Sequence, residues 1–207
     1  MKTISIGIYV DGQLERLRWT LGSLNANTPQ DVEILLLLDG VALNETAART
    51  LPAWNRVKLS TTSDARGVAA CFNRLASQTE TDVLVLLESG VQVAPGWLDR
   101  LLAALASDPH NGLAGPSTNN SWNEQCAFPR CGNTAQILAT ANEAARRFGS
   151  EVRTLDPLYS VGDFCYVVRR EVVEAVGAQD PRALLDLSDA VRQKLGDAAV
   201  VLGCAVD

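Results

Sequence analysis

The chain has 207 residues, of which 47% are hydrophobic and 20% are charged, and its formal net charge is −6. These totals predict a globular protein of one large domain or two small ones, with a buried core. The negative charge argues against binding to a nucleic-acid backbone, and no run reaches the roughly 18 apolar residues of a membrane span.

The N-terminal residues enter a predicted strand at once, which indicates no signal peptide and favours a cytoplasmic protein. The cysteines also favour a cytoplasmic protein, because their number is odd and their spacing is irregular. That pattern is typical of reduced thiols in the cytosol. A disulfide between Cys126 and Cys131 is the alternative.

The first forty residues predict a strand, a helix and a second strand. Ile4, Ile6 and Ile8 alternate with smaller residues in the first strand. The second is almost wholly apolar, so both of its faces are expected to be covered. This order is typical of a βαβ unit in a parallel sheet. The predicted ranges are a strand at 3–10, a helix at 14–25 and a strand at 32–38 that ends at Asp39-Gly40.

The next segment repeats this alternation and then reaches a polar break. A weak helix at 42–51 and a short strand at 57–60 lead to a helix capped by Ser63 or Asp64. An apolar strand beginning at Val83 then stops at Glu88-Ser89-Gly90. Ligands gather at the carboxyl ends of strands in open α/β sheets, so this break is a candidate site. Pro95 suits the first turn of the helix that follows, at 96–107.

The second half of the chain is less regular. Its polar stretch at 117–133 is long enough to be a functional loop rather than a connector. No linker or internal repeat interrupts the chain, so a single α/β domain is the simplest interpretation. The remaining predictions are strands at 112–116, within 158–168 and at 198–206, and helices at 134–148, 170–177 and 184–195.

Nine segments have a characteristic order and spacing, at 4–8, 14–17, 21–24, 32–40, 66–73, 83–88, 95–98, 112–120 and 164–177. Together they resemble the family 2 glycosyltransferases, which have the GT-A nucleotide-diphospho-sugar transferase fold. The resemblance spans nearly the whole chain and depends on the order and spacing of its parts. It implies a mostly parallel, Rossmann-like central sheet flanked by helices in one domain. Residues 1–116 would form a nucleotide-binding half and residues 117–207 an acceptor-side half.

The resemblance implies a nucleotide site at the carboxyl ends of the first strands. Asp39 occupies the place of a carboxylate that contacts the base, although a turn aspartate before glycine is an equal alternative. Arg66 opens the third helix, where a cation helps to hold an anion, or is a plain surface arginine. Asn73 matches a family asparagine or makes a structural hydrogen bond. The family aromatic residue after the first strand is replaced by Asp11, close to Tyr9.

The family also implies Mn²⁺ or Mg²⁺ bound by an Asp-x-Asp motif, where the chain has Glu88-Ser89-Gly90. Gly90 falls at the ligating position and has no side chain. Glu88 is therefore the candidate metal ligand; the alternatives are that it holds ribose hydroxyls or caps the turn. The family's acidic base has no clear counterpart, and Asp180 and Asp186 are the nearest substitutes. Asp186 is also explained as a carboxylate at a helix N-terminus.

Two functions follow from these expectations. The first is an inverting transfer of a sugar from a nucleotide-diphospho-sugar to the hydroxyl of a glycan or another acceptor. The acceptor would lie beside Trp122, Asn120 and Glu124, although Trp122 is equally explained as a core residue. The second is an inactive GT-A-fold domain that serves as a binding or scaffolding module, because the metal and base motifs are both altered. Neither involves nucleic acid or a membrane span.

Overall fold

A computed structural model describes most of the chain as alternating strands and helices. The described residues are 2–41, 56–119, 125–128, 133–154, 161–162, 164–176, 199–201 and 205–206. The helices are α1 (Leu14–Asn27), α2 (Val68–Gln78), α3 (Trp97–Ser107), α4 (Thr134–Phe148) and α5 (Arg170–Val176). The strands are β1 (Ile4–Val10), β2 (Glu33–Asp39), β3 (Val57–Thr62), β4 (Val83–Glu88), β5 (Gln92–Val93), β6 (Leu113–Ala114), β7 (Val152–Thr154), β8 (Cys165–Arg169), β9 (Ala199–Val201) and β10 (Ala205–Val206).

The main sheet has six strands in the order β3-β2-β1-β4-β8-β6. The first four are parallel to one another, whereas β8 runs antiparallel to both β4 and β6. The chain therefore goes outward from β1 to β3 and returns on the other side of β1 as β4. Such a reversal of strand order opens a crevice at the carboxyl ends of the two central strands. Two small antiparallel ladders, β5 with β10 and β7 with β9, complete the described strands.

Helices cover both faces of this sheet, which explains the uninterrupted apolar strands. On one face, Ile6, Ile8 and Val10 of β1 pack in a cluster with the buried residues of α1 and α3. On the other face, Leu35 and Leu37 of β2 pack with α2 and α5. Successive side chains of a strand point to opposite faces, so a strand buried on both sides needs apolar residues throughout. The predicted α/β fold with a mostly parallel sheet and flanking helices is confirmed.

Three predictions about the ends of these elements were wrong: the cap of α2, the place of Pro95 and the length of β3. Helix α2 begins at Val68 after Gly67, with no side-chain cap of its own, so neither Ser63 nor Asp64 caps it. The reason is tertiary, because a carboxylate from β2 binds the amides before this helix. Pro95 precedes the helical N-cap, Gly96, and is not in the first turn of α3. Strand β3 extends to Thr62 because its last residues pair with the end of β2.

The predicted closing strand at 198–206 is two strands. Residues 199–201 pair with β7, and residues 205–206 pair with β5. The two partners lie in different ladders, so the segment cannot be one continuous strand. The predicted helices at 42–51 and 184–195 lie outside the described residues, whereas the helix at 134–148 matches α4.

Candidate functional site

The crevice between β1 and β4 is closed at its base by hydrogen bonds between the two strand ends. Tyr9 lies opposite Glu88 in the parallel ladder, and the Ser89 N–H donates to the Tyr9 carbonyl at 2.9 Å. The Ser89 hydroxyl donates to Oδ1 of Asp11 at 3.3 Å. This oxygen also accepts the N–H of Gln13 at 3.2 Å, just before α1. Asp11 therefore ties the turn after β4 to the start of α1.

The carboxylate of Asp39 lies at the end of β2, on the other side of Tyr9, and is only 4% exposed. Its Oδ1 accepts the backbone N–H of Arg66 at 2.8 Å, and its Oδ2 accepts that of Gly67 at 2.7 Å. A Cβ on Gly40 would lie 2.6 Å from the backbone nitrogen of Ala65, so only glycine allows this close approach. Asp39 therefore holds the loop that opens α2, in addition to any contact with a ligand.

The phenol of Tyr9 lies within electrostatic range of three of the predicted carboxylates. Burial is the main reason why the pKa of Tyr9 is raised, and the negative charges of Asp39, Asp11 and Glu88 add to it, as does Cys71. The structure thus brings Tyr9, Asp11, Asp39 and Glu88 together at one edge of the sheet. A half-buried phenol kept neutral in this way can donate a hydrogen bond to a ligand hydroxyl or phosphate.

Arg66 and Asn73 lie beside this edge, in the α2 region. The Arg66 side chain is exposed, while its backbone is fixed by Asp39. Asn73 is half-buried on α2. Among the residues that the structure describes, its side chain makes no hydrogen bond to a strand, so the structural alternative for Asn73 has no support there.

The described residues at the end of β4 do not by themselves fit a divalent ion. Glu88 is half-buried, and its N–H donates to the Phe164 carbonyl at 2.8 Å. Gly90 has φ of +115°, a conformation that residues with a side chain rarely adopt. Hard divalent ions need several oxygen ligands. No group of three or more His, Cys, Asp or Glu that could hold a metal ion occurs in the described part of the chain.

Sequence reasoning missed two residues of α1 that contact the turn after β4. The Thr20 hydroxyl, fully buried, accepts the Gly90 N–H at 2.8 Å. The stem of Arg16, one turn earlier, lies against the same glycine. The available signal was a threonine within the apolar face formed by Leu17 and Leu21, because a buried hydroxyl needs a hydrogen-bond partner.

The predicted acceptor and base residues lie outside the described residues. These are Trp122, Asn120, Glu124, Asp180 and Asp186. The described end of the acceptor loop is held by Gln125, whose side chain donates to the Pro116 carbonyl at 2.9 Å and accepts the Gly162 N–H at 2.7 Å. This contact joins the loop to the segment that leads into β8.

Two further predictions concern thiols and membranes. Cys71, Cys126 and Cys165 are free, the first and last buried and Cys126 exposed. The alternative disulfide at Cys126 is therefore absent. In the part of the chain that the structure describes, no helix has both the length and the apolar character needed to cross a membrane.

Comparison with known proteins supplies a family match and a fold match. The model of the family described as "Glycosyl transferase family 2" matches residues 5–177. None of the curated proteins compared matches the chain in sequence. Among solved structures, GalNAc-T7 with UDP, GalNAc and Mn²⁺ is similar to all of this chain, with a TM-score of 0.71 and 20% identity.

Two microbial structures extend the fold comparison. The mannosyltransferase PcManGT from Pyrobaculum calidifontis, in complex with GDP-Man and Mn²⁺, is similar over 100% of this chain with a TM-score of 0.61 and 14% identity. TarS 1-349 from S. aureus is similar over 99% of it with a TM-score of 0.63 and 11% identity. The chain spans only 43%, 56% and 60% of GalNAc-T7, PcManGT and TarS respectively.

Proposed function

Since the chain belongs to glycosyl transferase family 2, we propose that it transfers a sugar from a nucleotide-diphospho-sugar to an acceptor hydroxyl. The observation that carries this proposal is the crevice at the reversal of strand order between β1 and β4. Tyr9, Asp11, Asp39 and Glu88 border that crevice. In open α/β sheets this is where nucleotide ligands bind.

The donor nucleotide binds, in this proposal, between the ends of β1, β2 and β4. Tyr9 and Asp39 lie nearest the base and ribose, and Arg66 approaches the phosphates from the loop before α2. Asn73 lies further along the same helix. In this proposal residues 1–116 bind the donor and residues 117–207 bind the acceptor.

The acceptor side of the proposal depends on residues named from the sequence. Trp122, Asn120 and Glu124 would contact the acceptor, which is a glycan or another hydroxyl compound. Asp186 or Asp180 would take the proton of the attacking hydroxyl. These roles, the inverting outcome and a cytoplasmic location stay predictions.

The metal is the part of the proposal that the described residues support least. Mn²⁺ is present with GalNAc-T7 and with PcManGT, and a divalent ion neutralises the charge on the departing diphosphate when it is bound. Glu88 would be its protein ligand in this chain. Because the described residues around Glu88 do not fit a divalent ion, no step of the proposal depends on one.

Calorimetric titration with UDP, GDP and dTDP, each with Mn²⁺ and with EDTA, tests the donor site. We expect one of the nucleotides to bind, and Arg66→Gln to weaken its binding. Arg153→Gln is the matched control, because Arg153 is exposed on β7, outside the crevice. Failure of all three nucleotides to bind the wild-type protein contradicts the proposal.

An inactive binding domain of the same fold is the second candidate, and Gly90 favours it. The residue that would ligate the metal in an Asp-x-Asp motif has no side chain here. Release of nucleoside diphosphate from the cognate nucleotide sugar, measured with a panel of sugar and peptide acceptors, separates the two candidates. Nucleotide binding without release for any acceptor favours the binding domain.

A further inference from the structure

The space beside Gly90 is lined by the side chain of an arginine. A Cβ built on Gly90 would lie 3.4 Å from Cδ, 3.7 Å from Cβ and 3.8 Å from Cγ of Arg16. These distances correspond to van der Waals contact with the aliphatic stem of the arginine. The direction that a metal-ligating side chain at position 90 would take is therefore the direction that Arg16 occupies.

The contact between Arg16 and Gly90 is held in place by Thr20. Its hydroxyl accepts the Gly90 N–H at 2.8 Å and donates to the Arg16 carbonyl at 3.3 Å. Thr20 is fully buried, so no water competes for these hydrogen bonds. The turn after β4 and the first turns of α1 thus form one unit, which keeps the stem of Arg16 against the turn at the end of β4.

The charge of Arg16 is available to a ligand. The Arg16 side chain is exposed, and it has no ion-pair partner among the residues that the structure describes. The crevice itself contains the carboxylates of Asp11, Asp39 and Glu88, which repel a diphosphate. A nucleoside diphosphate that binds there needs cations close to its phosphates, and guanidinium groups bind phosphate oxygens in a bidentate manner.

We propose that the guanidinium of Arg16 binds the diphosphate of the donor and supplies the positive charge that a divalent ion supplies elsewhere. This inference rests on the proposed function, and it explains why glycine at position 90 is compatible with donor binding. Arg16 approaches from α1 and Arg66 from the loop before α2, so the phosphates lie between two arginines. Binding of the diphosphate then requires no metal ion.

The contact between the Arg16 guanidinium and the diphosphate also assists the transfer step. The bond between the anomeric carbon and the diphosphate oxygen breaks, and its electron pair stays on that oxygen. The acceptor oxygen bonds to the anomeric carbon, and its proton passes to the carboxylate predicted at Asp186 or Asp180. The negative charge that grows on the leaving diphosphate is stabilised by the guanidinium group, because a cation already bound to the diphosphate attracts the charge that develops there.

The test compares two arginines of α1 by titration with UDP, GDP and dTDP. Arg16→Gln removes the charge beside Gly90. Arg18→Gln makes the same change two residues later, about 200° around the helix from Arg16, on another exposed side chain. We expect wild-type binding to be the same in EDTA and in Mn²⁺. Arg16→Gln should weaken it by roughly tenfold, or about 1.4 kcal/mol, and Arg18→Gln should leave it unchanged.

Rescue by charge distinguishes a binding role from a structural one. Arg16→Lys keeps the cation without the bidentate geometry, so it should recover part of the lost affinity. Urea unfolding of each variant checks that the fold is kept. Wild-type binding that requires Mn²⁺, or equal losses in Arg16→Gln and Arg18→Gln, would overturn the role of Arg16 and leave the proposed function standing. Failure of the wild-type protein to bind any of the three nucleotides overturns both.

Discussion

Asp39 Oδ1 accepts the backbone N–H of Arg66 at 2.8 Å, joining two positions that are 27 residues apart in the chain. The other carboxylate oxygen accepts the N–H of Gly67, so the first amides of the α2 region are bound by a residue of β2. This arrangement explains why α2 begins without a side-chain cap of its own. It also fixes the position from which the Arg66 side chain can reach the crevice.

Replacing Asp39 by alanine should destabilise the protein and weaken nucleotide binding together. Hydrogen bonds to a charged group contribute about 1.5–3 kcal/mol each, and two are lost. We therefore expect a decrease of about 3 kcal/mol or more in the free energy of unfolding, measured with urea. Asp64→Ala is the control, since Asp64 is exposed and, among the described residues, accepts only the hydroxyl of its neighbour Ser63. Similar losses in the two variants would show that the Asp39 contacts contribute little.

The central strands and helix α4 could be predicted closely from the sequence. The strand from Val83 to Glu88 and helix α4 have the predicted bounds. Each owes its formation to a local pattern. An apolar run without alternation indicates a strand buried on both faces, and a continuous segment without Gly or Pro from Thr134 to Phe148 favours a helix.

Features that depend on contacts distant in the chain could not be predicted in this way. The start of α2 is one, because its amides are bound by Asp39 rather than by a nearby Ser or Asp. The contact of Arg16 with Gly90 is another, since it follows from the placement of β4 next to β1. A motif comparison shows only that Gly90 lacks a side chain, and it does not show which side chain lies beside that glycine.

Gly90→Ala should lower stability, whereas Gly22→Ala should raise it. At Gly90, φ is +115°, and a side chain in such a conformation costs about 1–3 kcal/mol. Gly22 lies within α1 with nothing within 4 Å of an added Cβ, so alanine there should gain about 0.5–1 kcal/mol through helix propensity. Urea unfolding of the two variants provides the comparison. A Gly90→Ala protein as stable as Gly22→Ala would contradict the backbone conformation at Gly90.

Cys126 should react with iodoacetamide in the native protein much faster than Cys71 or Cys165. Cys126 is exposed, whereas the other two are fully buried. Burial also raises the pKa of the Cys71 thiol, which lowers the fraction of reactive thiolate. Timed alkylation followed by peptide mass mapping gives the rate at each site. Equal rates for Cys71 and Cys126 without denaturant would mean that the interface between α2 and β2 is open in solution.

The stability of the wild-type protein should fall more steeply above pH 10 than that of Tyr9→Phe. Burial, followed by the charges of Asp39, Cys71, Asp11 and Glu88, raises the pKa of Tyr9 above its ordinary value, which is about 10 in the unfolded chain. The folded protein therefore holds this proton more tightly than the unfolded chain does. The resulting stabilisation is fully present below about pH 10 and is lost as the pH rises through the pKa of the folded protein.

Urea midpoints of the two proteins between pH 8 and 11 measure this effect. We expect a constant difference up to about pH 9 and a shift in favour of Tyr9→Phe above about pH 10. Tyrosinate absorbance near 295 nm, taken as wild type minus Tyr9→Phe, reports the phenol directly. If that difference signal appeared below pH 10, Tyr9 would not lie among the carboxylates at the strand ends. The crevice would then lack the arrangement on which the proposed donor site depends.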